Sequence, residues 1–295
     1  MKKRIFALLL SALLLTTATA CNQTPDNNEE SPVESSAEES SVEESTEDSE
    51  NPASDFEYNQ VETGEIIITG YTGTNEIVTI PETIDGNEVC VIDHLAFMNQ
   101  ETIKQVIIPD TVFFIGTRAF YNCNQLVSIE FSDEITTIDS NAFEGCTSLE
   151  HVELPAKLKQ LGTQAFRGCT NLKSITVPKT LVDWYTEIFM YAPALQTIIF
   201  EDGITTIGNY AVFHSSALTS VTIPASVTTL GGYTFIGCPN LTEVVFVGDA
   251  PEEIGTKPFG EPRDSLTIYY DPNTTGWDST ALSAYRLVPL ETSNP

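Results

Sequence analysis

The sequence predicts a β-rich α/β solenoid, a stack of coils built from short parallel strands and short helical turns. Three observations carry this. Seven consecutive blocks of 23 residues run in one register, starting at Val106, Ile129, Val152, Ile175, Ile198, Val221 and Val244. A fixed period in this range marks a solenoid, in which each unit buries its apolar face only against its neighbours. Within every block positions 1 and 3 are apolar, as in Val152/Leu154, Ile175/Val177 and Val221/Ile223, the signature of a short half-buried strand. Finally, Ala-Phe recurs at positions 14 and 15 (Ala119-Phe120, Ala142-Phe143, Ala165-Phe166), so one ring should lie above another along the axis.

The remaining columns fill out the coil. Position 4 is often Pro (Pro109, Pro155, Pro178, Pro224), which can end a strand. Positions 7 and 10 are mostly apolar, with Thr-Thr between them in three blocks, indicating a second short strand or turn. Position 11 is often Gly (Gly116, Gly162, Gly208, Gly231), position 18 is Cys four times, and position 21 is Leu in six of seven blocks. An earlier block, Val78 to Gln105, ends in the same pattern and carries five extra residues around Asp85-Gly86-Asn87.

These columns resemble the BspA-type leucine-rich repeats of bacterial surface proteins, L-x-x-[VI]-x-[IF]-P-x-x-[VI]-x-x-[IL]-G-x-x-A-F-x-x-C. The resemblance implies a leucine-rich-repeat solenoid of about eight repeats over residues 78–266. It also implies an N-terminal cap of strands over 56–77, around GEIIITGYTG, and a C-terminal cap over 267–295. Caps have a physical purpose, because an open end exposes core and unpaired strand edges. For function the resemblance implies binding or adhesion to protein ligands at a cell surface, without catalysis.

The N-terminus reads as an address. Lys2-Lys3-Arg4, the apolar run Ile5 to Leu15 and the small residues Ala18-Thr19-Ala20 make an export signal over 1–20, too short to span a bilayer. Cys21 follows and resembles the lipidated Cys of bacterial lipoproteins, although Ala18 stands where Leu is usual. Ala18-Thr19-Ala20 also satisfies the rule for ordinary secretion, so a secreted protein is the alternative. Residues 21–55 follow as an acidic, Ser/Glu-rich linker. Asn22 to Asp55 holds twelve acids and no Lys or Arg, with almost nothing to bury, so disorder is expected. Fully extended, this stretch reaches roughly 110–120 Å.

Charge narrows the partners. The chain carries 42 acidic and 13 basic residues, a net charge of −29. A field of this sign disfavours nucleic acid and anionic lipid surfaces. A monomer is expected, held at the membrane through its lipid anchor only, with an extracellular or host protein as ligand. No cofactor, metal or catalytic constellation is indicated. His94, His151 and His214 occupy different columns, so a shared metal site is not expected. Ala192 and Ser215 share the column of Cys123, Cys146, Cys169 and Cys238, which suits small buried residues at a tight turn.

Two surfaces remain as candidates. The Ile175–Thr197 block keeps the period but changes its content: Trp184 at position 10, Tyr185 in place of Gly, and Met190 and Tyr191 nearby. Exposed aromatic residues on a rigid scaffold mark recognition. Against this, Trp184 can simply fill the core column. An alternative function follows from the same residues: a glycan-binding or accessory scaffold module in which Trp184 and Tyr185 stack on sugar rings. The second surface is the outer face of the first strands, acidic near Glu130, His151 and Glu153 and apolar near Ile199 and Val245.

The anchor is tested directly. A Cys21→Ala protein is expected to lose incorporation of an alkyne-tagged fatty acid in growing cells and to leave the membrane fraction. Undiminished label or unchanged membrane retention sinks the lipoprotein reading.

Overall fold

The computed structural model describes residues 50–279 and 281–291. The export signal, Cys21 and most of the acidic linker lie outside them. Each coil turns three times. A first strand runs along one side, as in Ser174–Val177 and Ser220–Ile223. A two-residue second strand follows on another side, as in Gln160–Leu161. The turn bearing Ala-Phe then returns the chain to the next first strand.

All coil-to-coil pairing is parallel, and the register repeats the sequence period. Ile175 pairs with Ile198, and Val221 with Val244. In the last coil the step lengthens by one residue: Val244 pairs with Ile268, and Leu230 with Ile254. The seventh block is therefore 24 residues long, the extra residue lying between Phe246 and Glu253. That shift restores the aromatic column, because Phe259 then stacks on Phe235 with ring centroids 5.5 Å apart.

The core is one continuous stack. Phe97, Phe120, Phe143, Phe166 and Phe189 are fully buried. Their successive centroids lie 4.8, 5.1, 5.1 and 5.9 Å apart, nearly parallel. This spacing is the strand-to-strand distance of a sheet, so ring stacking and backbone pairing impose the same rise. Val212 interrupts the column, and Phe235 resumes it.

The helical turns expected from the sequence are absent, and the α/β description is corrected to a β-solenoid. Among the described residues no α-helix forms; the only helical segments are 3-10 turns at Ala53–Asp55, Trp277–Ser279 and Ala281–Ala284. The reason lies in the Ala-Phe turn. Positions 13 and 17 are left-handed in successive coils: Arg118 and Asn122, Asn141 and Gly145, Gln164 and Gly168. A left-handed residue every fourth position stops a right-handed helix from propagating. It also turns alternate N–H groups in opposite directions. Arg118, Phe120 and Asn122 donate to Ser140, Ala142 and Glu144 in the next coil. Ala119, Tyr121 and Cys123 donate three residues back within their own turn. Every N–H in this run is satisfied, and the turn becomes a third inter-coil ladder.

The position-18 cysteines complete this turn. Each is buried and free. Sγ of Cys123, Cys146 and Cys169 donates to the carbonyl of Phe97, Phe120 and Phe143 in the preceding coil, at 3.0, 3.1 and 3.3 Å. Burial pushes the Cys238 thiol up to about 11 and those of Cys146 and Cys169 well above the ordinary range. Cys146, Cys169 and Cys238 are therefore held as neutral thiols.

Both ends are covered. Phe56–Gln60 and Ile66–Tyr71 form an antiparallel hairpin, and Ile66–Tyr71 pairs in parallel with Asn87–Ile92 of the first coil. Asn51, within the segment read as linker, is buried and exchanges hydrogen bonds with the Thr79 backbone. At the other end Thr267–Tyr270 is closed by Arg286–Pro289. Trp277 caps the first-strand side against Phe246 and Tyr270, at 5.2 and 4.8 Å. Arg263 donates to the carbonyls of Cys238, Phe259 and Leu241, occupying acceptors that no further coil uses.

The Phe stack sets a stability expectation. Phe143→Ala should cost about 3–5 kcal/mol in urea unfolding, since a ring is lost between two others. Glu153→Ala on the exposed sheet should change stability by less than about 0.5 kcal/mol. Equal effects would show that the stack carries no special share.

Candidate binding surface at the break between coils

The second strands approach closely at position 11 where glycine stands there, although Asp139 holds the same position within the unbroken ladder. A Cβ at Gly162 would lie 2.3 Å from the Ser140 backbone nitrogen, and one at Gly231 would lie 2.5 Å from that of Asn209. The backbones touch there, and glycine permits it. In the Ile175 coil this position is Tyr185, preceded by Trp184. The ladder runs from Phe56–Gln60 to Asp183–Trp184 and stops there; a new one starts at Thr206–Ile207 and continues to Glu253–Ile254.

The first strands break one step later. Thr197–Phe200 ends one three-stranded sheet, and Ser220–Ile223 begins the next. A further gap separates Ser128–Glu130 from His151–Glu153. The turn ladder is continuous across the Ile198 coil: Phe189 N–H donates to Ala211 at 3.0 Å, and Val212 N–H to Thr234 at 2.9 Å. The coil that departs in composition is thus the one at which the second-strand ladder stops, and the first strands separate after the following coil.

The candidate aromatic residues separate here. Trp184 is half-buried against Phe200, with centroids 6.1 Å apart, and its indole N–H is buried without a partner. It does fill the core column, with more bulk than the Leu and Ile it replaces. Tyr185 is 44% exposed beside the broken second strand. Met190 is half-buried, and its carbonyl accepts the Gly168 N–H. Tyr191 is 41% exposed on the turn, between the Arg167 guanidinium at 5.5 Å and the His214 ring at 5.4 Å. Two of the four therefore reach solvent freely, on different sides of the coil.

Grooves lie beside two of these breaks. On the sheet face a groove of about 580 Å³ runs between the Ile198 and Val221 coils, lined by Thr197, Ile199, Phe200, Asp202, Thr222 and Val247. Ile199 is 52% and Val247 51% exposed, so two apolar side chains lie together at this groove. Val245, expected at this end, is half-buried. On the second-strand side a groove of about 650 Å³ has Trp184 in its wall, Gly208 and Gly231 in its lining, and Glu252 and Glu253 beside them.

The acidic end of the sheet is organised more loosely. Glu130, His151 and Glu153 are exposed and flank the other sheet gap. Gln105 Nε2 donates to Glu130 at 2.7 Å, and His151 Nδ1 lies 3.1 Å from the Ser174 hydroxyl. Among the described residues no three His, Cys, Asp or Glu side chains group in a way that could hold a metal ion.

Sequence reasoning missed the aromatic residues that continue the Tyr191 surface: Tyr210, Phe213, His214 and Tyr233. Phe213 contacts Tyr191 and Tyr210 at 5.8 Å each, and Tyr210 stacks on Tyr233 at 5.2 Å. A signal existed, since positions 13 and 17 change from amides and glycines to rings between the Val152 and Val221 blocks.

The pattern of the BspA type leucine rich repeat region matches residues 90–211 and 185–286, in six copies. Among solved structures, a T. pallidum leucine rich repeat protein is 30% identical, with a TM-score of 0.54. The match covers 70% of this chain and 86% of that one. A leucine rich cell surface protein from Faecalibacterium prausnitzii is 28% identical with a TM-score of 0.56, over 66% of this chain. The match spans about half of that protein, 54% of its length. A comparison with curated proteins finds no match.

The cause of the break can be tested by restoring the repeat. Trp184→Leu with Tyr185→Gly should raise stability by about 1 kcal/mol, as consensus changes do. It should also slow amide exchange at Thr206 and Ile207 as the second-strand ladder closes. Unchanged exchange there would place the cause of the break elsewhere.

Proposed function

The chain belongs to the BspA-type leucine-rich-repeat family, and from that premise we propose that it is a non-catalytic binding protein held at the cell surface. Its solenoid presents the sheet face to a protein ligand. The observation that carries this reading is the apolar groove at Ile199, Phe200 and Val247. Extended solenoid faces are suited to large partners, because the backbone ladders fix the spacing of every exposed column. A partner that buries Ile199 and Val247 removes two half-exposed aliphatic side chains from water, a favourable contact at the centre of an interface. Thr197, Thr222 and Asp202 around them supply polar groups for the rim.

The surface location rests on the export signal and Cys21, together with the description of the F. prausnitzii relative as a cell surface protein. Lipidation of Cys21 would join the binding module to the membrane through the acidic linker. Two or more acyl chains hold such an anchor stably, where a single chain is marginal.

The glycan-binding alternative rests on the second-strand groove. Trp184 offers an aromatic wall, the glycines allow close approach, and Glu252 and Glu253 can accept hydrogen bonds from hydroxyls. The half-burial of Trp184 against Phe200 leaves less of the indole for stacking, which favours the protein-binding reading.

The full chain, immobilised and screened by biolayer interferometry against purified extracellular matrix and cell-surface proteins, should retain at least one of them. Ile199→Glu with Val247→Glu should weaken that binding by at least about tenfold, a loss of about 1.4 kcal/mol. Retention of a glycan but no protein would favour the alternative. Binding indifferent to both substitutions would move the site off the sheet face.

A further inference from the structure

A second recognition surface lies on the outer edge of the Ala-Phe turns. In the Ile129 and Val152 coils the two left-handed columns hold Asn141, Gly145, Gln164 and Gly168. From the end of the Ile175 coil onward they hold Tyr191, Tyr210, His214 and Tyr233, with φ of 60, 52, 61 and 55°. Any residue with a Cβ is disfavoured in this region, because the Cβ crowds the following carbonyl. Gly237, one coil beyond His214, shows that glycine serves the same column. The backbone is left-handed in these columns throughout, as at Arg118, Gln164, Glu187 and Lys257, so what distinguishes these coils is four aromatic side chains gathered on one edge.

The rings form one connected strip. Tyr191 stacks on His214 at 5.4 Å, Phe213 meets both Tyr191 and Tyr210 edge-on at 5.8 Å, and Tyr210 stacks on Tyr233 at 5.2 Å. Tyr191 and His214 are exposed, and the other three are half-buried. Such rigid, amphipathic rings resemble the composition of antibody paratopes, where tyrosine supplies contact area at low entropic cost.

Charge identifies the partner. With the linker acids and the N-terminal basic residues set aside, thirty carboxylates face ten cations over residues 56–295. Five of those cations, including Arg167 and Lys257, are already paired with Glu. The same surface shows what suits its rings. The Arg118 guanidinium lies 5.6 Å from the Tyr121 centroid, and that of Arg167 lies 5.5 Å from the Tyr191 centroid. Among the described residues no guanidinium covers Tyr210 or Tyr233. Glu187 occupies the same column one coil before Tyr210, and Lys257, paired with Glu261, occupies it one coil after Tyr233.

We propose that the strip from Tyr191 to Tyr233 recognises an arginine-bearing segment of a partner protein. Guanidinium planes would lie against the Tyr210–Tyr233 pair, and Glu187 would accept their N–H groups. Arginine is favoured over lysine, because a planar, weakly hydrated guanidinium stacks on a ring more readily than an ammonium.

The test titrates the full chain with deca-arginine and deca-lysine peptides at about 0.15 M salt, where longer-range charge is screened. The wild type should bind deca-arginine about fivefold more tightly, the scale of one cation–π contact. Tyr210→Asn with Tyr233→Asn places the residue type of Asn141 at two positions of its own column without changing charge. It should abolish the preference and leave deca-lysine binding unchanged. Tyr191→Gly with His214→Gly, matching Gly145 and Gly168, is the second variant and should reduce the preference while keeping the fold. A wild type without the preference overturns the proposal, as does a preference that survives in a folded variant.

Discussion

Everything in this molecule depends on the close stacking of one coil on the next. Three ladders and an aromatic column share a single rise of about 5 Å. A residue therefore has to fit beneath a copy of its own column as well as within its own coil. That constraint selects Phe where rings stack and Gly where second strands touch. It selects a small residue at position 18, where Cys Sγ, when present, reaches the preceding carbonyl. Ser215 shows the alternative in that column: its buried hydroxyl has no partner.

The same constraint explains why the change in composition and the grooves occur in neighbouring coils. A large residue in a close-contact column cannot be absorbed locally, because the neighbouring coils have no slack. Trp184 and Tyr185 coincide with an interrupted second-strand ladder, and the first strands separate at the next coil. The turn ladder carries the stack across. Grooves then exist on two sides of a continuous rod, with Ile199 and Val247 at the lip of one and Trp184 in the wall of the other. Surface variety is obtained without a loop insertion and without loss of the core.

The turns carry a second kind of variety. Their backbone alternates left- and right-handed residues, so the hydrogen bonds are set by geometry and nearly any side chain can be displayed. Asn141 and Gln164 use this freedom to bond along the axis, with Gln164 donating to Glu187 and Asn141 to Gln164. Tyr191, Tyr210, His214 and Tyr233 use it to build an aromatic edge. Neither choice alters the path of the chain, which separates what the turn holds together from what it presents.

The period, the first strands and the Phe column are legible in the sequence, because identical columns must occupy identical environments. The departure of the Ile175 coil is legible for the same reason. The turn is where the sequence misleads: Ala-Phe and Cys at positions 14, 15 and 18 have helical spacing. Left-handed φ at Arg118, Asn141 and Gln164 carries no sequence signature, since none of them is Gly. The extra residue before Glu253 is also hidden, because only pairing of Leu230 with Ile254 reveals it. Where the ladders break, which of Tyr185 and Trp184 reaches water, and that Tyr191 joins Tyr210 and Tyr233 across three coils were decided by tertiary structure alone. A repeat states what each column prefers; only the stacked coils determine what happens to a side chain that its column cannot hold.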